Sequence, residues 1–216
     1  DRQADEFAVK KARQLAKSGK LNESRDFLTK YLVEHPNCPN ALVELGLKEN
    51  LSADFKSCRE HMAKALALTN GGKGIEYVTP AYVVKGFANG NLGNYTEALQ
   101  DLEHARVLSP NYSEVFHIRG NILLKQGKKK AAFADYQRAV ELGSTDPEIL
   151  RALKRLSIEF GNTKLEKQCL DLLLSKAPGD FDAWMLAADW ETKNGNHKAA
   201  VKDAQRALAL RPGDYP

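Results

Sequence analysis

The sequence lacks any long apolar run. No stretch of it approaches the roughly 20 apolar residues that a membrane-spanning helix requires, and no secretory signal peptide is visible. We therefore expect no membrane insertion, and we expect a cytoplasmic location. The chain begins at Asp1 without a methionine, so a leader or a larger region ahead of it stays an open alternative.

Cysteine is also scarce. Cys38, Cys58 and Cys169 are widely spaced and form no C-x-x-C pair, which favours neither a disulfide framework nor a zinc site. Cys58 is predicted to be a small buried residue. It lies one helical turn from His61, but no further ligand stands at a spacing that would complete a metal site. We expect no metal and no cofactor, and the isolated cysteines favour a reducing compartment.

Neither sign of charge dominates. The chain has 32 basic and 28 acidic residues, a formal net charge of +4, and this mixed surface does not favour a nucleic acid as the partner. A basic run, Lys128 to Lys130, falls on a turn, and we interpret it as a solvated turn rather than an anionic contact. Nucleic acid is therefore not an expected ligand.

The segment from Thr79 to Asp146 contains one pattern written twice, 34 residues apart. The residues that return in phase are Gly86 and Gly120, Gly93 and Gly127, Ala98 and Ala132, and Ala105 and Ala139. Apolar positions between them recur at three and four residues. This combination predicts paired amphipathic helices that approach closely at the small residues, and hence a repeat protein.

The same phase extends along the chain as six repeats. They span 5–38, 39–72, 79–112, 113–146, 147–180 and 181–214, with the extra residues 73–78 between the second and the third. Three glycines in Thr69–Gly74 predict a flexible connector, since the order of a phosphate-binding loop is missing. We expect 5–72 and 79–214 to form one continuous domain, a fragment of a longer protein.

Turn residues and capping signals predict the helix boundaries. In the second repeat we expect helices over 40–50 and 53–68, and Thr79 with Pro80 is predicted to cap and restart the helix after the insert. Asp146 is predicted to cap the first helix of the fifth repeat, and Asp180 or Asp182 that of the sixth. The residues predicted to lie in the core are Leu28, Met62, Tyr82, Leu102, Phe116, Tyr136, Leu150 and Leu170.

With these residues in place, the sequence resembles the tetratricopeptide repeat family over essentially its whole length. The best matched repeat is 181–214, with Trp184, Gly195, Ala200, Ala207 and Pro212 at the positions of the family's motif. The resemblance implies an all-α fold, a right-handed α-solenoid of helix pairs whose first helices line a concave groove. It implies that the groove holds a peptide or a partner protein, and it implies no catalytic activity.

The resemblance assigns the groove-lining positions to the first helix of each repeat. In this sequence they are Val43 and Leu47, Val83 and Phe87, His117 and Asn121, Arg151 and Arg155, and Met185 and Asp189. The predicted groove is apolar first and polar to basic later, which suits hydrophobic anchors followed by an acidic group. Phe87 is the predicted anchor. Arg151 and Arg155 are predicted to fork onto a carboxylate. The alternative is that these arginines lie on an ordinary solvated face and pair with Glu148 or Glu159.

One ligand of the family is not expected. Co-chaperone members clamp a C-terminal carboxylate with cationic and asparagine side chains on three successive first helices. The nearest window here consists of His117, Asn121, Ala152, Asp182 and Leu186, in which those cations are missing. Binding of heat-shock chaperone tails is therefore unfavoured.

The fifth and sixth repeats depart from the pattern. Lys154 and Glu166 occupy two slots where the family carries small residues that face each other. They are predicted either to form an ion pair or to leave a loosened repeat with Lys154 extended to water. In the sixth repeat, Glu191 stands where an apolar residue is expected, with Trp190 beside it.

Three other functions stay as alternatives to a binding module. Catalysis is not expected, because the histidines at 35, 61, 104, 117 and 197 fall on unrelated faces and no nucleophile motif is present. RNA binding is less favoured, since the predicted groove changes character along the chain. Self-assembly into a homo-oligomer is the third, because no polar helix follows to cover Val201, Ala204 and Leu208.

Overall fold

The computed structural model describes residues 2–72 and 78–211, and within these ranges it contains twelve α-helices and no β-strand. They are α1 (Arg2–Lys17), α2 (Leu21–Glu34), α3 (Pro39–Leu51), α4 (Phe55–Leu68), α5 (Val78–Asn91), α6 (Tyr95–Leu108), α7 (Ser113–Lys125), α8 (Lys129–Glu141), α9 (Pro147–Glu159), α10 (Thr163–Lys176), α11 (Phe181–Lys193) and α12 (His197–Leu210). In chain order they form helix-turn-helix pairs. The predicted all-α fold is confirmed.

The turn inside most pairs depends on a glycine in the left-handed region. Gly19, Gly93, Gly127, Gly161 and Gly195 all have φ between +68° and +82°. In the second repeat the equivalent residue is Ala53, which adopts φ +57°. The prediction that a helix begins at Ala53 was wrong, because this left-handed residue ends the turn and α4 begins at Phe55. Asp54 caps α4 by accepting a hydrogen bond from the Ser57 amide.

The other predicted helix starts have mixed outcomes. Asp146 caps α9 by accepting from the Glu148 amide at 2.7 Å, and Asp180 rather than Asp182 caps α11. The capping role of Thr79 was wrong, because α5 begins one residue earlier and the Thr79 hydroxyl lies 2.9 Å from the Ser109 hydroxyl. The last two residues of the predicted connector lie outside the described residues, as do all the extra residues 73–78 except Val78, where α5 begins.

The chain divides into two compact units, an N-terminal unit Asp1–Ile122 and a C-terminal unit Leu123–Pro216. In each unit the core lies between successive helices. Of the predicted core residues, Leu28, Met62, Leu102, Phe116, Tyr136, Leu150 and Leu170 are buried. Tyr82 is only half-buried. Its hydroxyl donates to the Gly71 carbonyl, and its ring stacks on His104. Cys58 is fully buried, as predicted.

The small residues of the N-terminal unit stand where helices touch. A Cβ added to Gly46 of α3 would lie 3.0 Å from Met62 Cε, and one added to Gly86 of α5 would lie 3.1 Å from the Ala98 carbonyl oxygen. Gly90 meets Ile122 in the same way. These distances are shorter than ordinary van der Waals contact, so a larger residue at these positions would require its neighbours to shift by a few tenths of an ångström. The glycines therefore permit the close packing of the helices.

The two charged residues of the fifth repeat form an ion pair. Lys154 Nζ of α9 lies 3.9 Å from Glu166 Oε1 of α10, and both side chains are nearly buried. The alternative in which Lys154 extends to water was wrong, because its side chain is 7% exposed. The pair therefore takes the place of the close small-residue contact in this repeat.

We predict that the variant Ala53→Gly is more stable than the wild type. Removing Cβ from an exposed left-handed residue relieves a backbone cost, which should raise the free energy of unfolding by about 0.5–1 kcal/mol. Urea denaturation followed by circular dichroism measures the change. The matched control is Gly93→Ala, whose Cβ meets no atom within 4 Å, so that only the backbone cost acts. We expect Gly93→Ala to be less stable than the wild type, and a variant as stable as the wild type would contradict a backbone cost for left-handed alanine.

The Lys154–Glu166 pair predicts a strongly non-additive pair of substitutions. Lys154→Ala alone strands the Glu166 carboxylate inside the protein and should cost about 3–5 kcal/mol. The double variant Lys154→Met, Glu166→Leu removes both charges while keeping apolar volume, so its stability should equal or exceed that of the wild type. Thermal and urea unfolding of the single and double variants form the test. Additive losses would show that the two charges do not interact.

Candidate partner-binding surfaces

The first helices α1, α3 and α5 lie side by side in the N-terminal unit. Two of the predicted groove residues, Val43 on α3 and Val83 on α5, are only 2% and 3% exposed. Each packs into the interior rather than toward solvent. A partner cannot contact these side chains directly. They form the floor of the surface, that is, the buried layer beneath the neighbouring accessible residues.

Apolar side chains remain accessible beside this floor. Leu47 and Phe87 are half-buried, and the Phe87 ring packs edge-on against Phe55 of α4 with centroids 5.8 Å apart. Leu47 and Phe55 also contact the core cluster around Met62. Leu51, at the end of α3, is 70% exposed. The N-terminal unit thus carries an apolar surface that is anchored in the core and open to solvent at its edge.

His117 and Asn121 of α7 are half-buried. His117 Nδ1 lies 3.7 Å from Glu114 Oε1, one turn earlier on the same helix. These two residues add a polar border to the unit.

Sequence reasoning missed a charged cluster between α1 and α3. Glu44 is buried, and its two carboxylate oxygens accept from Arg13 Nε at 2.6 Å and from Lys48 Nζ at 2.8 Å. The spacing of Glu44 and Lys48, four residues apart on one helix, is the signal that was available. The cluster links the first helices of two successive repeats.

In the C-terminal unit, Arg151 is already engaged. Its guanidinium pairs with Asp180, the residue that caps α11. The predicted pairing with Glu148 or Glu159 was wrong, because Glu159 instead binds Lys129 with Nζ–Oε distances of 2.8 and 2.9 Å. Arg151 therefore holds α9 against the start of α11.

The other predicted residues of this unit are exposed. Arg155 lies one turn after Arg151 on α9, and Met185 of α11 is 39% exposed. Asp189 binds Lys193 at 2.7 Å on the same helix. A fork of both arginines on one partner carboxylate would require Arg151 to leave Asp180.

The structure accounts for the acid of the sixth repeat. Glu191 is buried and accepts from Lys167 Nζ at 3.2 Å and from Asn196 Nδ2 at 2.8 Å. Lys167 also lies over the Trp190 ring, 4.7 Å from its centroid. Glu191 thus joins α10, α11 and the turn before α12.

Comparison with known proteins identifies the family. A family model for the tetratricopeptide repeat matches residues 88–147 and 168–215, half of the chain. The chain belongs to the tetratricopeptide repeat family. The helix pairs described above are its repeats, and tetratricopeptide repeat proteins are generally non-catalytic scaffolds.

A curated relative matches over part of the chain. The human protein O-mannosyl-transferase TMTC1 is 28% identical over 120 residues, which is 56% of this chain and 13% of the relative. The chain therefore spans about one eighth of that protein.

Solved structures show the same fold. PilF of Pseudomonas aeruginosa superposes with a TM-score of 0.79 at 19% identity, covering 99% of this chain and 94% of that one. YrrB, described as a tetratricopeptide repeat protein with an unusual peptide-binding site, superposes with a TM-score of 0.62 at 21% identity, covering 87% and 93%. At these identities the likeness is one of fold.

The polar groups in these tetratricopeptide repeats are engaged in packing. Among the described residues, no group of three or more His, Cys, Asp or Glu is placed to hold a metal. His61 Nδ1 lies 2.8 Å from Glu49 Oε2. Burial raises the pKa of the Cys58 and Cys169 thiols to about 12, so at neutral pH they are not thiolates.

The last described tetratricopeptide helix has an accessible apolar face. Val201 and Leu208 of α12 are 57% and 41% exposed, and Ala204 between them is half-buried.

None of the helices within the described residues has the length and apolar character needed to cross a bilayer.

The Glu49–His61 contact predicts a pH-dependent stability. The hydrogen bond to Glu49 raises the pKa of His61 above 6.5. Because the folded state holds the proton more tightly, the contribution is fully present below pH 6.5 and is lost as the pH rises through the raised pKa. We expect the urea midpoint to fall across this range, and to fall less in Glu49→Gln. The control is His104→Asn, which should keep the wild-type slope. An unchanged slope in Glu49→Gln would refute the assignment.

Proposed function

We propose that this protein is a non-catalytic interaction scaffold that binds a peptide segment or partner protein on the first-helix face of its repeats. The observation that carries the proposal is the apolar surface formed by Leu47, Leu51 and Phe87. It is fixed to the core through Phe55, and it keeps Leu51 70% exposed. Anchored apolar surfaces of this kind are typical of interaction sites.

The proposed contact residues fall into two sets, one for each compact unit. In the N-terminal unit, Leu47 and Phe87 bind an apolar side chain, His117 and Asn121 supply polar contacts, and Val43 and Val83 form the floor. In the C-terminal unit, Arg155 and Met185 are the accessible residues, and Arg151 and Asp189 keep the intramolecular pairs described above. The peptide-binding site named for YrrB supports a peptide as the ligand class.

We also propose a cytoplasmic location and the absence of catalytic activity. Three buried free thiols suit a reducing compartment, and this supports the cytoplasm as the proposed location. The raised pKa values of the Cys58 and Cys169 thiols and the Glu49 partner of His61 support a protein without catalytic activity.

Self-assembly is a second candidate because α12 exposes Val201 and Leu208. Sedimentation of the wild type and of a Val201→Lys, Leu208→Lys variant separates the two functions. A concentration-dependent dimer that the variant abolishes favours self-assembly through α12. A monomer in both cases leaves the peptide scaffold as the function.

The binding proposal is tested with peptides selected from a random phage-displayed dodecapeptide library on the 216-residue chain. Phe87→Ala should weaken the selected peptides about tenfold to a hundredfold, because an apolar anchor contributes about 1.5–3 kcal/mol. Fluorescence anisotropy measures the affinities, and circular dichroism verifies the fold.

Phe87 also packs on Phe55, so a variant that leaves the core intact is needed. Leu51→Ser changes a side chain that is 70% exposed, and Val107→Ser on α6 is its matched control at 67% exposure. Weaker binding in Leu51→Ser but not in Val107→Ser supports the proposed surface. Equal affinities in all variants would place the binding function elsewhere.

A further inference from the structure

We infer that a second surface, formed by the lysine turn at the start of α8 and the end of α9, binds an acidic peptide segment. A shallow depression is lined here by Gly127, Lys128, Lys129, Lys130, Ala131, Glu159 and Phe160. All seven residues belong to the C-terminal unit, and none is among the proposed first-helix contacts. The inference therefore stands apart from the proposed function.

The first observation is that the lysines oppose the local electrostatics. The start of a helix carries a partial positive charge, so cations there are unfavourable. Lys128 occupies the capping position of α8 and makes no capping hydrogen bond. Of the equivalent residues, Asp54 and Asn162 cap their helices, whereas Lys20, Asn94 and Asn196 make no side-chain capping hydrogen bond. Lys20, the other lysine at this position, is paired with Glu23, whereas Lys128 has no acid paired to it within the described residues.

The second observation is that the fold neutralises only one of these charges. Lys129 binds both carboxylate oxygens of Glu159 at the end of α9. Lys128 and Lys130 are exposed, and neither takes part in an ion pair within the described residues. The depression therefore has three cations and one acid in its lining, and two ammonium groups remain for an external anion.

The third observation is an apolar element beside the charges. Phe160 is 37% exposed, and its ring packs edge-on against Phe133 of α8 with centroids 5.1 Å apart. Ile158, near the end of α9 and two residues before Phe160, is 48% exposed. An occupant that matches these features carries carboxylates for Lys128 and Lys130 and an apolar side chain for Phe160.

A peptide fits this surface better than a nucleic acid does. The cationic part is short, and the chain as a whole carries nearly balanced charge, +4 from 32 basic and 28 acidic residues. Nucleic-acid binding needs a longer basic stripe that follows the phosphate backbone. An acidic segment with one apolar residue needs only the contacts present here.

The probe is a fluorescein-labelled peptide with three glutamates on each side of a central phenylalanine. Its matched control replaces the glutamates with glutamine, and a single-stranded oligonucleotide of equal charge is the competing ligand. Anisotropy at low and moderate salt gives the affinities. We expect the glutamate peptide to bind and to weaken with salt, and the glutamine peptide to bind at least about tenfold more weakly.

The double variant Lys128→Asn, Lys130→Gln tests the site. It should raise the dissociation constant of the glutamate peptide about tenfold. Its thermal midpoint should also rise, because asparagine restores the cap and two repulsive charges are removed. Lys30→Gln, Lys64→Gln removes two exposed lysines of α2 and α4 as the charge control and should change neither quantity.

Three outcomes would overturn the inference. These are absence of glutamate-peptide binding at low salt, equal binding by the lysine-turn variant and the wild type, and tighter binding of the oligonucleotide than of the peptide at this turn. Phe87→Ala must leave the glutamate peptide unaffected, so loss of the first-helix surface and loss of the lysine turn are told apart.

Discussion

The close approach of the two helices within a repeat is the constraint on which the rest of the structure depends. At Gly46 and Gly86 a Cβ atom on the first helix would meet side chains or backbone of the second at 3.0–3.4 Å, closer than ordinary van der Waals contact. Contact this close leaves little freedom for the first helix to rotate or slide, because the interior is packed to high density. The residues on its other side are therefore held at fixed positions. This favours Leu47 and Phe87 as the proposed contacts, since a surface on rigid elements loses less entropy when a partner docks.

Several charged residues that enter the core of the described repeats do so with a partner. Glu49 of α3 meets His61 of α4, Lys154 of α9 meets Glu166 of α10, and Lys85 of α5 meets Asp101 of α6 at 2.7 Å. In each case the partner is on the second helix of the same repeat, so the ionic contact lies across the interface that small residues form elsewhere. Such pairs contribute little net stability over apolar packing. Their geometry fixes the register of one helix against the other, because a shift would leave a buried charge unpaired.

The periodicity of the sequence was enough to predict the fold, while the site depended on information that periodicity lacks. Helix pairs, the buried Met62 and Leu102, and the caps at Asp146 and Asp180 all follow from local patterns that repeat. Ala53 broke the expected helix start because a left-handed residue is recognisable only from its backbone. The engagement of Arg151 by Asp180 was missed because the two residues are 29 positions apart in the sequence, one on α9 and the other at the start of α11. The burial of Val43 and Val83 was missed because a groove position and a core position have the same apolar character.

The distinction between structural and functional charge rests on whether the fold gains from the residue. Arg151 binds the residue that caps α11, Lys154 pairs with Glu166, and Lys167 binds a buried acid, so each of these cations has an acid partner inside the protein. Lys128 does the opposite, because it adds positive charge to the positive end of α8 and has no acid paired to it within the described residues. A residue that costs stability in its own surroundings is retained most simply by a role outside them. By this criterion the exposed lysines of the α8 turn are better candidates for an anionic partner than the arginines of α9, although Arg155 is among the proposed first-helix contacts.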